Sequence, residues 1–147
     1  MSRILKKAPY IKYADIKVGN IYEFERKITR KDLYDFAKIS GNYNPLHYDK
    51  IDKNYGKNSK FGDIIVHGML AGSLFSALIG MYCPGEKSLC LSQTLYFKKA
   101  VYPEDKVKVK GTVIAKNDSV RTIILKTEVL KDGAVLLSGE AKIFYLE

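Results

Sequence analysis

The sequence of 147 residues lacks the features that mark several specialised protein classes. It has only two cysteines, Cys83 and Cys90, and no further cysteine or histidine at metal-ligand spacing, so neither a disulfide framework nor a metal site is predicted. The longest apolar stretch, 69–83, is interrupted by glycines and serines and is too short to cross a membrane. No apolar signal-peptide core follows the basic start. We therefore expect a soluble, cytoplasmic protein with reduced thiols.

The chain also has fewer acidic than basic residues. Lysine and arginine total 25 against 16 aspartates and glutamates, which gives a formal net charge of +9. Such an excess favours anionic partners, such as nucleic acid, acidic proteins or phosphorylated ligands. The basic residues are scattered, however, and no zinc finger, aromatic RNA-binding motif or recognition helix accompanies them. We therefore expect no nucleic-acid partner.

Two helices and a run of strands are predicted from the hydrophobic periodicity. Residues 21–29 alternate as a strand, after which Thr29 and Asp32 form an approximate capping box for a helix that ends at Gly41. A second helix begins at Gly68. Because this helix is apolar on nearly every side, it is expected to be buried.

The second half of the chain alternates in the manner of antiparallel strands. Four strand segments separated by turns are predicted at 88–101, 106–116, 120–130 and 134–146. The predicted fold class is α+β, in one domain spanning residues 1–147, of which residues 1–19 form an extended arm. Because long neighbouring strands expose sheet edges, dimerisation through an edge is also predicted.

One of only two histidines lies in the segment SGNYNPLHYD, residues 40–49. Pro45 fixes its own backbone angle and favours an extended Asn44, so His47 two residues later stands on a stiff support. A histidine held in this way suits proton transfer near neutral pH. A loop histidine that makes one structural hydrogen bond is the alternative interpretation.

The other histidine, His67, precedes Gly68 at the start of the apolar helix. The first N–H groups of a helix have no intrahelical acceptor, so the Gly68 N–H is available to a developing oxyanion. Alternatively, His67 caps the helix and Gly68 only allows close packing. These residues alone do not decide between the two interpretations.

Three segments in this order and separation, YDFAKISGNYNPLHYD, FGDIIVHGMLAGSLFS and LYFKKAVYPEDKVKVKGTV, resemble the MaoC-like (R)-specific enoyl-CoA hydratases. The resemblance runs from about Ile21 onward. It implies a hot-dog domain, with a long buried helix wrapped by an antiparallel sheet, that pairs as a homodimer or a higher even oligomer. It also implies syn hydration of a trans-2-enoyl thioester of coenzyme A or acyl carrier protein to an (R)-3-hydroxyacyl thioester, or the reverse dehydration, in fatty-acid metabolism. No cofactor is implied apart from the coenzyme A of the substrate.

The resemblance also implies roles for individual residues. His47 corresponds to a histidine that holds a water together with an aspartate, and the Gly68 N–H to the group that polarises the thioester carbonyl. Asn44 corresponds to a supporting asparagine and Ser73 to a small polar pocket residue. The remaining predicted substrate-binding residues are His67, Leu70 and Leu74. The apolar helix itself suggests a buried acyl tunnel, whose depth Leu70, Leu74 and Phe75 are expected to set.

The chain departs from the family pattern at Asn42, where an aspartate is expected. A carboxamide can orient a water but is not a useful base. Three interpretations remain: an inactivating substitution made to hold substrate, a natural variant that works slowly or on another reaction through His47, or a non-catalytic subunit that binds acyl chains beside an active partner. Among the nearby carboxylates, Asp35, Asp49 and Asp63, the last is the least implausible replacement.

Three functions are therefore compared. The first is a lyase acting on acyl thioesters, and the second is an inactive acyl-thioester-binding protein or non-catalytic subunit of a heteromeric dehydratase. The third is a thioesterase, which the fold also hosts but which the NPLH segment disfavours. In the first two cases Lys98 and Lys99 are candidates for binding the phosphates of coenzyme A or an acidic carrier protein, unless they form an ordinary solvated strand end.

Overall fold

A computed structural model of the protein describes residues 6–147, in which a six-stranded antiparallel sheet packs against the longest helix. In chain order, the elements are a 3-10 helix at Tyr13–Asp15, β1 Ile21–Lys27, α1 Arg30–Ser40, α2 Tyr55–Asn58, α3 Gly68–Met81, β2 Ser88–Gln93, β3 Tyr96–Phe97, β4 Lys106–Asn117, β5 Thr122–Lys131 and β6 Ala134–Tyr145. The predicted α+β class is confirmed. Residues 1–5 of the predicted arm lie outside the described residues.

Strands β4, β5 and β6 form the centre of the sheet. The strand order is β1-β4-β5-β6-β2, and β3 also pairs with β6. All of the pairs are antiparallel, as predicted. The turn between β5 and β6 places Asp132 and Gly133 at φ 49° and 78°, the left-handed conformation that a two-residue hairpin turn requires.

Helix α1 has the predicted caps at both ends. The Thr29 Oγ1 accepts the Asp32 N–H, and an Asp32 carboxylate oxygen accepts the Thr29 N–H, which completes the capping box. Gly41 ends the helix at φ 76°, a left-handed conformation that favours glycine. Leu33 and Ala37 are fully buried, so α1 is anchored to the core and carries the loop that follows it.

Helix α3 packs one face against the sheet and leaves the other face exposed. Leu74, Phe75 and Leu78 are buried in the core, as a helix of this composition should be. Met69 and Ser73, on the other face, are exposed, which differs from the prediction of a helix buried on all sides. Periodicity cannot reveal this difference, because both faces of α3 consist of apolar and small residues. No helix among residues 6–147 combines the length and the apolar character needed to span a bilayer.

The predicted strand at 88–101 is divided into β2 and β3. Thr94 ends the β2 pairing and crosses closely over Gly139 of β6, where any larger residue would collide with the Thr94 carbonyl. Its backbone N–H and side-chain Oγ1 both bond to Glu140. The sequence pattern of residues 88–101 does not change where β2 ends and β3 begins, so the division was not predicted.

Candidate active site

A cavity of about 730 Å³ opens between α1, the loop after it, the start of α3 and the β3 region. The residues that line it are mostly apolar or small, with two histidines, one asparagine and three lysines: Phe36, Ser40, Asn42, His47, Lys60, Phe61, Ile65, Val66, His67, Gly68, Met69, Ala71, Phe97, Lys98, Lys99, Ala100, Val101, Leu136 and Leu137. Its volume is within the range of small-molecule sites. The cavity therefore joins the two histidine segments that the sequence singled out.

The loop that carries His47 is held by side chains that bond to the backbone two residues further on. The Ser40 Oγ accepts the Asn42 N–H at 3.2 Å, and the Asn42 Oδ1 accepts the Asn44 N–H at 3.1 Å. The Asn44 Oδ1 in turn accepts the Leu46 N–H at 2.9 Å. Short amide and hydroxyl side chains favour such turns because they reach their own backbone. The loop is thus fixed by local hydrogen bonds, although residues 41–44 are exposed and residues 45–49 are only partly buried.

His47 has a defined tautomer. Its Nδ1 lies 2.8 Å from the carbonyl oxygen of Ile65, and because a carbonyl can only accept, Nδ1 carries the proton. The Nε2 atom therefore carries the lone pair. A second bond, from the Ile65 N–H to the Leu46 carbonyl at 2.9 Å, holds the two backbone segments together. His47 is consequently oriented with one nitrogen free to accept a proton.

His67 is buried, with 2% of its surface exposed. Its Nε2–H donates to the backbone carbonyl of Asn42 at 3.1 Å, and its Nδ1 has no partner among the described residues. The ring stacks on His47 with 4.4 Å between centroids, and it meets the Phe36 ring edge-on. Burial lowers the pKa of His67 below its ordinary value of 6.5; the nearby His47 acts in the same direction, and the bond to Asn42 opposes it. His67 is therefore neutral near pH 7, and its buried ring supports the His47 ring by stacking on it.

Gly68 begins α3, and none of the described side chains caps this end of the helix. Its N–H is among the first donors of the helix, which have no intrahelical acceptor. The ring of Phe97 lies over Gly68, so a Cβ atom here would come within 2.6 Å of Phe97 Cε1. Only glycine fits under this ring without a shift, and Gly68 lines the cavity where the helix begins.

Asn42 faces the cavity with its amide nitrogen available. Because its Oδ1 accepts the Asn44 N–H, Nδ2 is the atom left to meet a ligand. An aspartate in the same conformation would present a carboxylate oxygen at this place. Compared with an aspartate, Asn42 offers a donor in place of an acceptor and keeps the turn intact.

No carboxylate lines the cavity in the described part of the chain. Asp63 and Asp49 both pair with Arg30, and Asp35 pairs with Lys31. The structure thus gives no support to Asp63 as a replacement for the missing aspartate. Within residues 6–147, no three metal-ligating side chains cluster together.

The structure brings some of the predicted residues together and leaves others elsewhere. Asn42, His47, His67 and Gly68 share the cavity, and so do Lys98 and Lys99. The other predicted substrate-binding residues do not line it: Asn44 supports the loop, Ser73 is exposed, Leu74 lies in the core and Leu70 packs against the core. Their roles toward substrate stay predictions.

Sequence reasoning did not identify several lining residues. Lys60 and Phe61 lie in a polar stretch without periodicity, and nothing there indicated a cavity. Phe97 was part of a predicted strand, and only the break in that strand turns it toward Gly68. Phe36 shares a helix face with Leu33 and Ala37 by its spacing, and this spacing is the one signal in the sequence for its position.

The chain is similar to proteins of known family and fold. Residues 15–134 match the family described as MaoC like domain. The (R)-specific enoyl-CoA hydratase of Aeromonas caviae is 34% identical over 127 residues, which cover 86% of this chain and 92% of the relative. A mitochondrial 3-hydroxyacyl-acyl-carrier-protein dehydratase of Solanum lycopersicum is 33% identical over 129 residues, covering 86% of this chain and 75% of the relative.

A solved structure is also similar. The unliganded R-hydratase PhaJ1 of Pseudomonas aeruginosa superposes with a TM-score of 0.86 at 36% identity, over 94% of this chain and 87% of that one. The predicted hot-dog fold is therefore confirmed.

Proposed function

The chain belongs to the MaoC-like family, and from this premise we propose that it adds water to trans-2-enoyl thioesters to give (R)-3-hydroxyacyl thioesters, or catalyses the reverse dehydration. The substrate is a thioester of coenzyme A or of acyl carrier protein, as in fatty-acid metabolism. One observation carries the proposal: His47 and Gly68 line one cavity, and the tautomer of the neutral His47 ring leaves Nε2 unprotonated. A base and an oxyanion donor are the groups that this reaction needs.

His47 acts twice in the proposed hydration. Its Nε2 takes a proton from water while the water oxygen bonds to C3, and the C2=C3 electrons move toward the thioester carbonyl. The enolate oxygen that forms is stabilised by the Gly68 N–H. The protonated His47 then returns its proton to C2, so that one water is added and the imidazole is restored.

Asn42 binds the water instead of deprotonating it. Its Nδ2–H group donates to the water oxygen in hydration and to the departing hydroxyl oxygen in dehydration. This role keeps the water oriented but leaves His47 as the one proton-transferring group. We therefore expect slower turnover than with an aspartate, since acid–base catalysis contributes about 10²–10⁴-fold.

The lysines at the cavity suit an anionic carrier. Lys60, Lys98 and Lys99 line the cavity and are exposed, and no acidic residue lines it in the described range. They would attract the phosphates of coenzyme A or the acidic surface of a carrier protein. No metal and no cofactor beyond the coenzyme A of the substrate is needed for the proposed reaction.

We also propose a homodimer, acting in the cytoplasm. Exposed apolar side chains lie at the β2–β3 edge and on the open face of α3: Met69, Leu89, Leu91, Tyr96 and Phe97. A second copy would cover them. Two free cysteines are typical of a reducing compartment.

Asn42 favours one alternative, an inactive protein that binds acyl thioesters or serves as a non-catalytic subunit. The cavity and the Gly68 N–H would still hold a thioester in this case. Without a carboxylate, however, the bound substrate would not react.

The test is the loss of enoyl absorbance when crotonyl-CoA is added to the wild type, His47→Ala and Asn42→Asp. The proposal expects measurable turnover in the wild type and a loss of about 10²–10⁴-fold in His47→Ala. Asn42→Asp should be faster than the wild type. A wild type that is stabilised by crotonyl-CoA but does not consume it would support the alternative, and release of free thiol would indicate a thioesterase.

A further inference from the structure

Two segments of the chain meet at the candidate site: the loop 41–49 and the segment 59–67. The contacts on the cavity side are the stacked rings, the His47–Ile65 bond, the His67 bond to the Asn42 carbonyl and the backbone bond between Leu46 and Ile65. None of these contacts is covalent or strongly charged. The relative position of the two segments therefore determines where the His47 ring lies.

A single arginine joins the same two segments on their other side. The Arg30 Nη1 atom lies 2.8 Å from an Asp49 carboxylate oxygen, and Nη2 lies 3.0 and 3.1 Å from the two oxygens of Asp63. Asp49 is two residues after His47. Asp63 is two residues before Ile65, whose carbonyl oxygen orients His47. We propose that Arg30 is a positioning residue that clamps the two histidine-bearing segments in register.

The clamp is itself held in place by the surrounding structure. Arg30 is the first residue of α1, and its backbone N–H donates to the Glu104 carboxylate at 3.1 Å. The second oxygen of Asp49 accepts the Tyr34 hydroxyl at 2.7 Å, one turn further along α1. Asp63 also accepts the N–H of Ile64. The guanidinium and both carboxylates are thus restrained from more than one direction.

Charge explains why an arginine is needed. Neither Asp49 nor Asp63 has another cationic partner within residues 6–147. The planar guanidinium can bond both carboxylates at once, whereas an ammonium group is a point charge without this fork geometry. Removing the guanidinium would leave the Asp49 and Asp63 carboxylates without a shared cation where the two segments meet.

The expected effect is on geometry more than on stability. The Arg30 side chain is 38% exposed, and ion pairs at such exposure contribute little to stability. A displacement of a catalytic group by about 1 Å, in contrast, can cost about 100-fold in rate. This inference rests on the proposed function for its kinetic part only, because the positions of the rings can be measured without turnover.

The variants are Arg30→Lys and Arg30→Ala, with Arg26→Lys as the matched control. Arg26 pairs with Asp32 at 3.4 Å and contacts neither histidine segment. Asp63→Asn removes one arm of the clamp and should have an intermediate effect. Thermal unfolding of each variant verifies that it is folded.

The first readout is NMR of the histidine ring protons, because the chain contains only two histidines and gives two resolvable sets of signals. Arg30→Lys and Arg30→Ala should shift both Hε1 signals and weaken the cross-relaxation between the rings, and Arg26→Lys should do neither. The second readout is crotonyl-CoA hydration, for which we expect kcat to fall about 10–100-fold with KM nearly unchanged.

Unchanged histidine signals in both folded Arg30 variants would overturn the clamp, whatever the rates. Shifted signals together with an inactive wild type would leave the clamp standing and reject the proposed hydratase reaction. Shifted signals with an unchanged kcat would overturn the positioning role, since the relative position of the two segments would then not affect the reaction. Each outcome therefore separates the clamp from the proposed function.

Discussion

His47 and His67 stack with 4.4 Å between ring centroids, yet the segments that carry them hold the two rings by different means. The His47 loop is half-buried and is held by hydrogen bonds, from Ser40 through Asn42 and Asn44 to the backbone. The His67 segment is held by burial, with Val66 and His67 in the interior. Neighbouring rings of one residue type thus differ: His47 can accept a proton, whereas His67 stays neutral as a support.

Of the substitutions considered, removal of the buried His67 ring should lower the free energy of unfolding most. His67→Ala leaves a cavity beside Phe36 and breaks the bond to the Asn42 carbonyl. We expect the free energy of unfolding to fall by about 2–5 kcal/mol, the range for large-to-small core substitutions. His47→Ala, in the half-buried loop, should lower it by less than about 1.5 kcal/mol, the usual net contribution of one hydrogen bond. Urea unfolding of both variants measures the difference, and equal losses would contradict the comparison.

A smaller effect is expected at the glycine beside His67. Gly68→Ala brings a Cβ atom within 2.6 Å of Phe97 Cε1, so the exposed ring must turn away. We expect a loss of about 1–3 kcal/mol, as for other overpacked sites, and slower hydration of crotonyl-CoA. The double variant Gly68→Ala/Phe97→Ala should recover most of the stability. If the double variant is no more stable than Gly68→Ala, the clash with Phe97 is not the cause.

The smallest effect is on the pH dependence of stability. Since burial holds the pKa of His67 below 6.5, the unfolded chain binds a proton at this residue more readily than the folded chain does. The contribution of the neutral His67 ring to the free energy of unfolding is therefore fully present above about pH 6.5. It is lost as the pH falls toward the lowered pKa of His67 in the folded state. His67→Phe keeps the ring but cannot titrate, so its free energy of unfolding should fall less than that of the wild type between pH 7 and pH 5. If the free energy of unfolding falls equally with pH in the wild type and in His67→Phe, protonation of His67 does not cause the loss of stability in acid.

Local patterns were sufficient for much of the fold and for part of the site. Thr29 with Asp32 and Gly41 predicted both ends of α1, because caps satisfy backbone groups within a few residues. Alternation predicted the three long strands, since a strand has one side facing the core. The division into β2 and β3 was missed because it depends on the close approach of Thr94 to Gly139, far away in sequence.

The α+β class, the stiff loop under His47 and the helix start at Gly68 could be predicted from the chain, because turns, caps and periodicity are local properties. The family resemblance predicts an aspartate at position 42, where the chain has Asn42. The packing of the buried His67 ring against His47 and the Arg30 bridge between Asp49 and Asp63 depend on the folded chain and could not be predicted. These contacts join residues up to 33 positions apart, and their geometry follows from how α1 and the two segments pack together.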